Sequence, residues 1–230
     1  QAYSIEEFEI KITELFITRN KIYYPMTHKS TNHLTKIIME QIEETEYSIE
    51  RGAHAPFDLH DSSPLVNAMR HLKDEFEIAA IKKSLDITAN GHMAAMKACQ
   101  AGMYEYQLEA ELLYEYTNQG ARNCAYPNVV ASGANACILH YTDNDAQLKE
   151  GDLVLIDSGA ELGYYASDIT RTFPVNGKFS PEQAAIYTLV LKAQKVGIDA
   201  AKPGANWKNI QEVVIQCLTE GLISLGILKG

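Results

Sequence analysis

The stretch DLVLIDSGAELGYYASDITRTF (Asp152–Phe173) contains two strand-like runs joined by a tight connection at Leu162–Gly163. Each run carries one carboxylate, Asp157 or Asp168, at a position where a buried strand favours an apolar residue. In a symmetric hairpin about this connection, the two aspartates lie opposite each other on one face, with Cβ atoms about 5 Å apart. Two carboxylates at that distance repel by about 3 kcal/mol at an effective dielectric constant of roughly 20. The sequence therefore predicts a cation between the two runs.

The two aspartates also have a structural interpretation. Taken singly, Asp157 could cap a turn at DSG, and Asp168 could lie at an exposed strand edge. The pair is harder to explain in this way, because the run LVLI before Asp157 predicts a strand that is buried on at least one face. Thr170 lies two residues beyond Asp168, hence on the same face, where its hydroxyl could orient a carboxylate.

The type of donor limits the choice of metal ion. Oxygen ligands favour hard or borderline divalent ions such as Mn²⁺, Mg²⁺ or Co²⁺ over a zinc–thiolate site. Two carboxylates do not complete a coordination shell, so further ligands must come from elsewhere.

Composition indicates a globular protein that binds neither nucleic acid nor membrane. The chain has 230 residues, of which 46% are hydrophobic and 22% charged, and this allows one large domain or two small ones. A net charge of −10 disfavours binding to a phosphate backbone, and no run approaches the ~18 apolar residues of a spanning helix. The four cysteines are widely separated and no signal peptide is visible, so we expect a cytoplasmic protein with buried, unpaired thiols.

Residues 1–72 are predicted to be the C-terminal part of a smaller α/β domain. A capping box at Ser4 and Glu7 begins a helix that ends near Thr18, and IYY (22–24) is a candidate strand. A second helix is predicted over 31–46.

The stretch RGAHAPFDLHDSSP (51–64) is typical of a loop, with Ser63 as the N-cap and Pro64 as the first residue of a short helix. It contains four potential metal ligands: His54, Asp58, His60 and Asp61. Polar clusters before a helix are usually solvated or capping, and we favour that interpretation over a metal site.

Residues 73–230 show helices on either side of a run of strands, which is typical of an α+β domain. The predicted elements are helices over 74–100 and 104–118, strands over 129–133 and 137–140, the hairpin, and two C-terminal helices that begin at Ser180–Pro181 and near Asn206. His92 lies near the apolar face of the first helix and is interpreted as a core or interface residue. Arg171 is expected on the strand face opposite the aspartates, in a structural salt bridge.

The hairpin belongs to a longer block with a specific resemblance. Three segments carry it: MRHLKDEFEIAAIKKSLDI (69–87), AYPNVVASGANACILHYTDND (125–145) and GDLVLIDSGAELGYYASDITRTFPVNGKFSPEQ (151–183). Together they resemble the Xaa-Pro aminopeptidase (aminopeptidase P) branch of the pita-bread metallopeptidases, and the resemblance runs with few gaps from Met69 to Gly230. It implies that residues 73–230 are the N-terminal half of a pita-bread catalytic domain.

The resemblance also implies roles for individual residues. Asp157 would be a bidentate ligand of one metal ion, and Asp168 would bridge two ions, usually Mn²⁺, with Co²⁺, Zn²⁺ or Mg²⁺ as the other candidates. His140 would be catalytic, contacting the substrate and the developing oxyanion, while Tyr126 would line the substrate site and Thr170 would support the metal cluster. The implied reaction releases the N-terminal residue from peptides with proline in the second position, and the complete enzyme would be a homo-oligomer.

This chain departs from the family pattern in one respect. The other metal ligands of the family are one histidine and two glutamates, all downstream of the hairpin. No histidine follows Asp168, and the later glutamates lie on predicted helix faces. We therefore expect an internal segment of a longer protein, truncated at both ends and inactive by itself.

Two other functions remain open at this stage. A pita-bread domain that has lost its ligands could bind peptides or proteins without catalysis, although the retention of Asp157, Asp168 and His140 argues against this. Alternatively, LVLIDSGAELG could be a strand and glycine turn that cradles phosphate. The DITRTF continuation and the lack of a second phosphate loop disfavour that interpretation.

Overall fold

The computed structural model describes residues 4–26, 32–47 and 58–229. The chain divides after Glu75 into two compact units. In its described residues, the first unit contains α1 (Phe8–Phe16), β1 (Lys21–Tyr24), α2 (Asn32–Tyr47), β2 (Asp58–Asp61) and α3 (Ser63–His71), with a 3-10 turn at Ile5–Glu7 before α1. β1 and β2 pair in parallel, and Phe16, Tyr24 and Ile38 form a small core.

The prediction of a loop over 51–64 is wrong at Asp58–Asp61, which forms the strand β2. Its side chains find partners on β1: Lys21 lies 3.3 Å from Asp58, and His60 stacks on Tyr23 with ring centroids 5.0 Å apart. The strand depends on a partner far away in sequence, which a local pattern does not reveal.

The polar residues of this segment have structural roles. Asp61 accepts hydrogen bonds from the backbone N–H (2.9 Å) and the hydroxyl (2.7 Å) of Ser63, where α3 begins one residue earlier than predicted. These contacts support the capping interpretation for the described members of the cluster. His54 lies outside the described residues.

The second unit confirms the helices predicted from the sequence. It contains α4 (Glu75–Ala98), α5 (Glu105–Asn118), β3 (Asn123–Cys124), β4 (Val129–Ser132), β5 (Leu153–Ser158), β6 (Ala160–Leu162), β7 (Tyr165–Ala166), β8 (Ile169–Pro174), α6 (Pro181–Ala200) and α7 (Trp207–Ser224). Ser180 and Gln183 form the expected capping box of α6, and the Asn206 side chain caps α7.

The strand predicted at 137–140 is wrong. After β4, residues Gly133–Cys137 form a 3-10 helix, and the chain then turns through His140. Gly133 has a φ of +54°, which redirects the backbone out of the strand.

β5 is the central strand of an antiparallel sheet with the order β4–β5–β8. Val154 and Ile156 are fully buried on one face and belong to the main core with residues of α4 and α5. Leu155 and Asp157 lie on the other face and are partly exposed. The prediction of a strand buried on one face is thereby confirmed.

The predicted register of the hairpin is wrong by two residues. Asp157 pairs with Thr170 rather than with Asp168, and the turn lies at Gly163–Tyr164. Both turn residues have positive φ angles, 57° and 68°, as a type I′ turn requires. A shift of two residues preserves the face of every side chain, so Asp157 and Thr170 still share one side of the sheet.

The segment is also divided between two sheets. The chain leaves β5 at Gly159, and β6 pairs with β3 and β7 before β8 returns beside β5. A single continuous hairpin, as predicted, therefore does not form.

The C-terminal helices leave part of their apolar surface exposed. α6 packs along α7, but much of their apolar surface remains exposed, including Val190, Ile198 and Ile215.

All four cysteines are unpaired, as predicted, although none is fully buried and Cys137 is exposed. Across the described residues, no helix has the length and apolarity that crossing a membrane requires.

Candidate metal centre

Asp157 occupies the middle of the sheet. Its cross-strand neighbours are Val129 on β4 and Thr170 on β8, so the three side chains lie in one row on the same face. Asp157 is partly exposed on this face, and Thr170 is exposed. The predicted support from Thr170 is therefore compatible with its position, although its hydroxyl has no hydrogen bond among the described residues.

Asp168 directly precedes β8, at the point where two backbone segments touch. A Cβ atom on Gly159 would lie only 1.8 Å from the backbone oxygen of Ser167. The chain can follow this path only because residue 159 has no side chain. The close approach brings the end of β5, which carries Asp157, beside Asp168 just before the start of β8.

A buried hydroxyl network fixes this junction to α4. The hydroxyl of Ser167 lies 3.1 Å from that of Ser84 and 2.5 Å from that of Thr88. Thr88 also accepts a hydrogen bond from the backbone N–H of Ala160 at 2.9 Å. These polar groups are fully satisfied in a buried environment, which favours a single geometry for the junction.

Tyr126 joins the two aspartates directly. Its hydroxyl lies 2.6 Å from Oδ1 of Asp157 and 2.9 Å from Oδ1 of Asp168. A phenol has one proton and can donate it to only one carboxylate at a time. The structure thus brings together three of the predicted site residues, and the aspartates are neighbours even though they are not a cross-strand pair.

The environment of Tyr126 keeps its hydroxyl protonated. Burial raises the pKa of Tyr126 most, and the hydrogen bonds to Asp157 and Asp168 raise the pKa further because a phenolate would face two carboxylates. Tyr126 is therefore a hydrogen-bond donor to the carboxylates rather than an ionised ligand near neutral pH.

The donor set fits one side of a divalent-cation site. Neither carboxylate has a second hydrogen bond among the described residues, so both Oδ2 atoms remain available to a cation. The predicted salt bridge of Arg171 is wrong within that part of the chain: Arg171 is exposed and donates to the Thr170 carbonyl at 2.8 Å. The described residues contain no cluster of three potential ligands, so Asp157 and Asp168 supply an incomplete coordination shell.

His140 lies in the turn after the 3-10 helix, and no hydrogen bond or ion pair among the described residues joins it to the aspartates. It is exposed and has a φ of +56°, an uncommon conformation for a residue other than glycine. The loop around it, residues 133–145, packs on the face of the sheet that carries Asp157, since Tyr141 clusters with Val129 and Leu155. The structure thus places the His140 loop and the aspartates on the same side of the sheet.

His92 is a core residue, as expected from the sequence, but it is not fully satisfied. It is 3% exposed, its Nε2 lies 3.5 Å from the Ser158 carbonyl, and its Nδ1 has no partner among the described residues. Burial lowers the pKa of His92 most, and the nearby Arg171 lowers it further against the raising effects of Ser158, Ile169 and Asp157. The histidine is therefore neutral in the folded protein near pH 7.

Sequence reasoning missed Glu105, which is fully buried at the start of α5. Burial alone would raise its pKa, but hydrogen bonds from Ser132, Tyr141 and Ala146 outweigh this and lower the pKa below its ordinary value of 4.5. The only signal in the sequence is an acidic residue in the first turn of a helix, which is too common to single out.

Glu105 should make stability depend on pH. Because its folded pKa is lowered, the ionised form stabilises the fold fully above pH 4.5, and this contribution is lost as pH falls through the folded value. We expect Glu105→Gln to reduce the free energy of unfolding at pH 7 by about 2–3 kcal/mol and to flatten its decline in acid. Urea unfolding from pH 3 to pH 7 measures both effects. The exposed Glu150→Gln serves as the control, and an unchanged acid profile in Glu105→Gln would contradict the prediction.

Comparison with known proteins places this geometry in a family. A model of metallopeptidase family M24 matches residues 79–228, about two thirds of the chain. The chain belongs to metallopeptidase family M24. The Xaa-Pro aminopeptidase of Haemophilus influenzae is 42% identical over 231 residues, which cover all of this chain and 50% of that protein.

Solved structures of M24 enzymes share the fold. Pseudomonas aeruginosa aminopeptidase PepP superposes with a TM-score of 0.94 at 40% identity, and zinc-substituted Escherichia coli aminopeptidase P in complex with product does so with 0.93 at 37%. Each match covers all of this chain and 52% of the other. The predicted pita-bread fold is confirmed, and the chain spans about half the length of the relatives it matches.

The M24 match confirms a metal-dependent peptidase family but does not fix the metal. The zinc-substituted relative carries a metal that was exchanged, and the donor set here is equally suited to several divalent ions. Manganese therefore stays a prediction for this chain.

Removing the Tyr126 hydroxyl should weaken metal binding. Outer-shell partners that orient a ligand are typically worth about 10- to 100-fold in metal affinity. We expect Tyr126→Phe to reduce Mn²⁺ affinity by this amount in calorimetric titration of the full-length protein. Tyr164→Phe, at a tyrosine that is 96% exposed, is the matched control. Equal affinities in the two variants would show that the shared hydrogen bond does not orient the aspartates.

Proposed function

We propose that the protein containing this chain is an Xaa-Pro aminopeptidase that uses two divalent metal ions. The observation that carries the proposal is the joining of Asp157 and Asp168 by one Tyr126 hydroxyl, which leaves an oxygen of each carboxylate free for a cation. A relative named Xaa-Pro aminopeptidase, matched over the whole chain at 42% identity, supports the choice of reaction.

In this proposal, Asp157 and Asp168 hold the metal ions, with further ligands from outside the described residues. When bound, the ions supply Lewis-acid polarisation of the scissile carbonyl and lower the pKa of water. Tyr126 keeps the two carboxylates at a fixed spacing, and Thr170 lines the same face. The face is partly exposed at Asp157 and exposed at Thr170, so a peptide can approach it.

We assign His140 to the substrate. Its imidazole is exposed, has no hydrogen bond among the described residues, and belongs to a loop that packs on the aspartate face. From that position it can donate a hydrogen bond to the peptide carbonyl, whose oxygen gains negative charge when water adds to the carbonyl carbon and before the C–N bond breaks. Little free energy is needed to reorganise this donor at the moment of reaction, because the loop is already held in place.

Cleavage of matched peptides tests the proposal. The full-length protein, loaded with Mn²⁺, should release the N-terminal residue from Ala-Pro-Ala and should leave Ala-Ala-Ala largely intact. Chelation should abolish the activity, and added Mn²⁺ should restore it. Peptide binding without cleavage by the metal-loaded protein would reject the enzyme in favour of a non-catalytic binding module.

Manganese as the metal, a cytoplasmic location and a homo-oligomeric assembly are further parts of the proposal. The oxygen donor set supports Mn²⁺, and the four unpaired cysteines support a reducing compartment. Metal analysis of protein purified without added metal and sedimentation of the full-length protein test the first and the last of these. Cell fractionation tests the location.

A further inference from the structure

We infer that Glu105 is a positioning residue for His140, because its single carboxylate closes the base of the loop that carries the histidine. The inference rests on the proposed function, which assigns substrate contact to His140. Glu105 lies on α5, outside the sheet and outside the row of residues around the aspartates.

One carboxylate oxygen holds the chain before His140. Oε1 of Glu105 accepts hydrogen bonds from the backbone N–H and the hydroxyl of Ser132 at 2.6 and 2.7 Å. The side-chain amide of Asn135 adds a third at 3.3 Å. The end of β4 and the 3-10 helix are thereby fixed to the same atom.

The other oxygen holds the chain after His140. Oε2 accepts hydrogen bonds from the Tyr141 hydroxyl at 2.8 Å and from the backbone N–H of Ala146 at 3.0 Å. Burial, together with the bond to Glu105, raises the pKa of Tyr141 to about 12, so its hydroxyl remains a donor. Both arms of the loop therefore end on one side chain, which is fully buried.

The contact with Tyr141 also sets where the loop stands on the sheet. Tyr141 is adjacent to His140 in sequence and packs against Val129 and Leu155, on the face that carries Asp157. Movement of Tyr141 would displace His140 relative to Asp157. The hydrogen bonds to Glu105 (below, the tether) therefore set the distance between His140 and Asp157, the two parts of the proposed site.

The backbone of the loop indicates a geometry held by its surroundings. His140 and Asn144 both have left-handed φ angles, 56° and 50°. Asparagine adopts this conformation more readily than most residues, whereas for His140 it costs on the order of 1 kcal/mol. Such conformations persist when neighbouring contacts over-determine them, and they concentrate at functional sites. Asn144 is itself held by its side-chain bond to the N–H of Val130 at 2.9 Å.

The chemistry requires a carboxylate at position 105. Its two oxygens receive five donors and offer no proton in return. A glutamine would present an amide N–H₂ to some of these donors and leave them unpaired. Tyr141→Phe is the milder variant, since it removes one donor and keeps the ring in the cluster.

Two measurements test the inference in the full-length, Mn²⁺-loaded protein. Hydrogen exchange of amides 133–145 should accelerate about 10-fold in Tyr141→Phe while α4 stays protected, and it should accelerate more than about 10-fold in Glu105→Gln. In peptide cleavage, kcat should fall about 10-fold in Tyr141→Phe with KM little changed. In a His140→Ala background, adding Tyr141→Phe should change kcat less than about twofold, because both changes remove the same contribution. Tyr114→Phe, on the exposed side of α5, is the control.

Several outcomes would overturn the inference. Unchanged exchange over 133–145 in both variants would show that Glu105 does not hold the loop. Losses that multiply in the double variant would show that Tyr141 acts independently of His140. A wild-type protein without cleavage would reject the proposed function instead, and the exchange measurement would then decide the tether by itself.

Discussion

Under the proposed function, replacing Asp157 by asparagine in the full-length protein is expected to weaken Mn²⁺ binding more than about 100-fold and to abolish nearly all Xaa-Pro cleavage, because a direct ligand would contribute more than an outer-shell partner. Asparagine keeps the size of the side chain and the bond from Tyr126, but it loses the negative charge and one ligand oxygen. Asp168→Asn should have the same effect, because it removes the same charge and one ligand oxygen from the second carboxylate of the proposed site. Metal content after dialysis and kcat for Ala-Pro-Ala measure the two losses.

The control for these variants is an aspartate of the same unit that lies outside the site. Asp199→Asn, on the exposed side of α6, should retain both metal and activity. Circular dichroism should show that all three variants are folded, because neither site aspartate is fully buried. Normal metal content together with full activity in Asp157→Asn or Asp168→Asn would reject the metal assignment.

Gly159→Ala is expected to cause the largest loss of stability. A Cβ atom at this position would lie 1.8 Å from the Ser167 backbone oxygen, so the strand junction has to open by more than an ångström. The shift would strain the hydroxyl network around Ser167 and move Asp168 away from Asp157. We expect the free energy of unfolding to fall by at least about 3 kcal/mol.

A second glycine separates this steric effect from a general cost of adding a methyl group. Gly163 has a φ of +57° with no atom within contact distance of the added Cβ, so Gly163→Ala should cost only roughly 1–2 kcal/mol. Urea unfolding measures both variants. A loss in Gly159→Ala that is no larger than in Gly163→Ala would show that the junction yields without strain.

Local sequence patterns were most informative where an element depends on its own residues. The helices α4 to α7 follow from apolar periodicity and from caps such as Ser180 with Gln183, and the structure confirms them. Local sequence patterns were least informative where a partner distant in sequence decides the conformation. β2 forms because β1 lies beside it, and Gly133–Cys137 leaves the strand conformation where Glu105 binds Ser132.

The hairpin shows both situations within a few residues. Alternation along the strands identified Asp157 and Thr170 as side chains on one face, and a two-residue error in register left that conclusion intact. The register itself could not be predicted from the sequence, because the chain changes sheets at Gly159. This change of sheet depends on the close approach of Gly159 to the backbone oxygen of Ser167.

The sequence by itself determined the family of this protein and its two candidate metal ligands, because spacing and residue type are properties of the chain. Only the tertiary structure decided that Tyr126 bridges the two aspartates and that Glu105 holds both arms of the His140 loop. Both arrangements join residues that are far apart in sequence through side-chain hydrogen bonds, and such contacts exist only after the sheet and helices have packed.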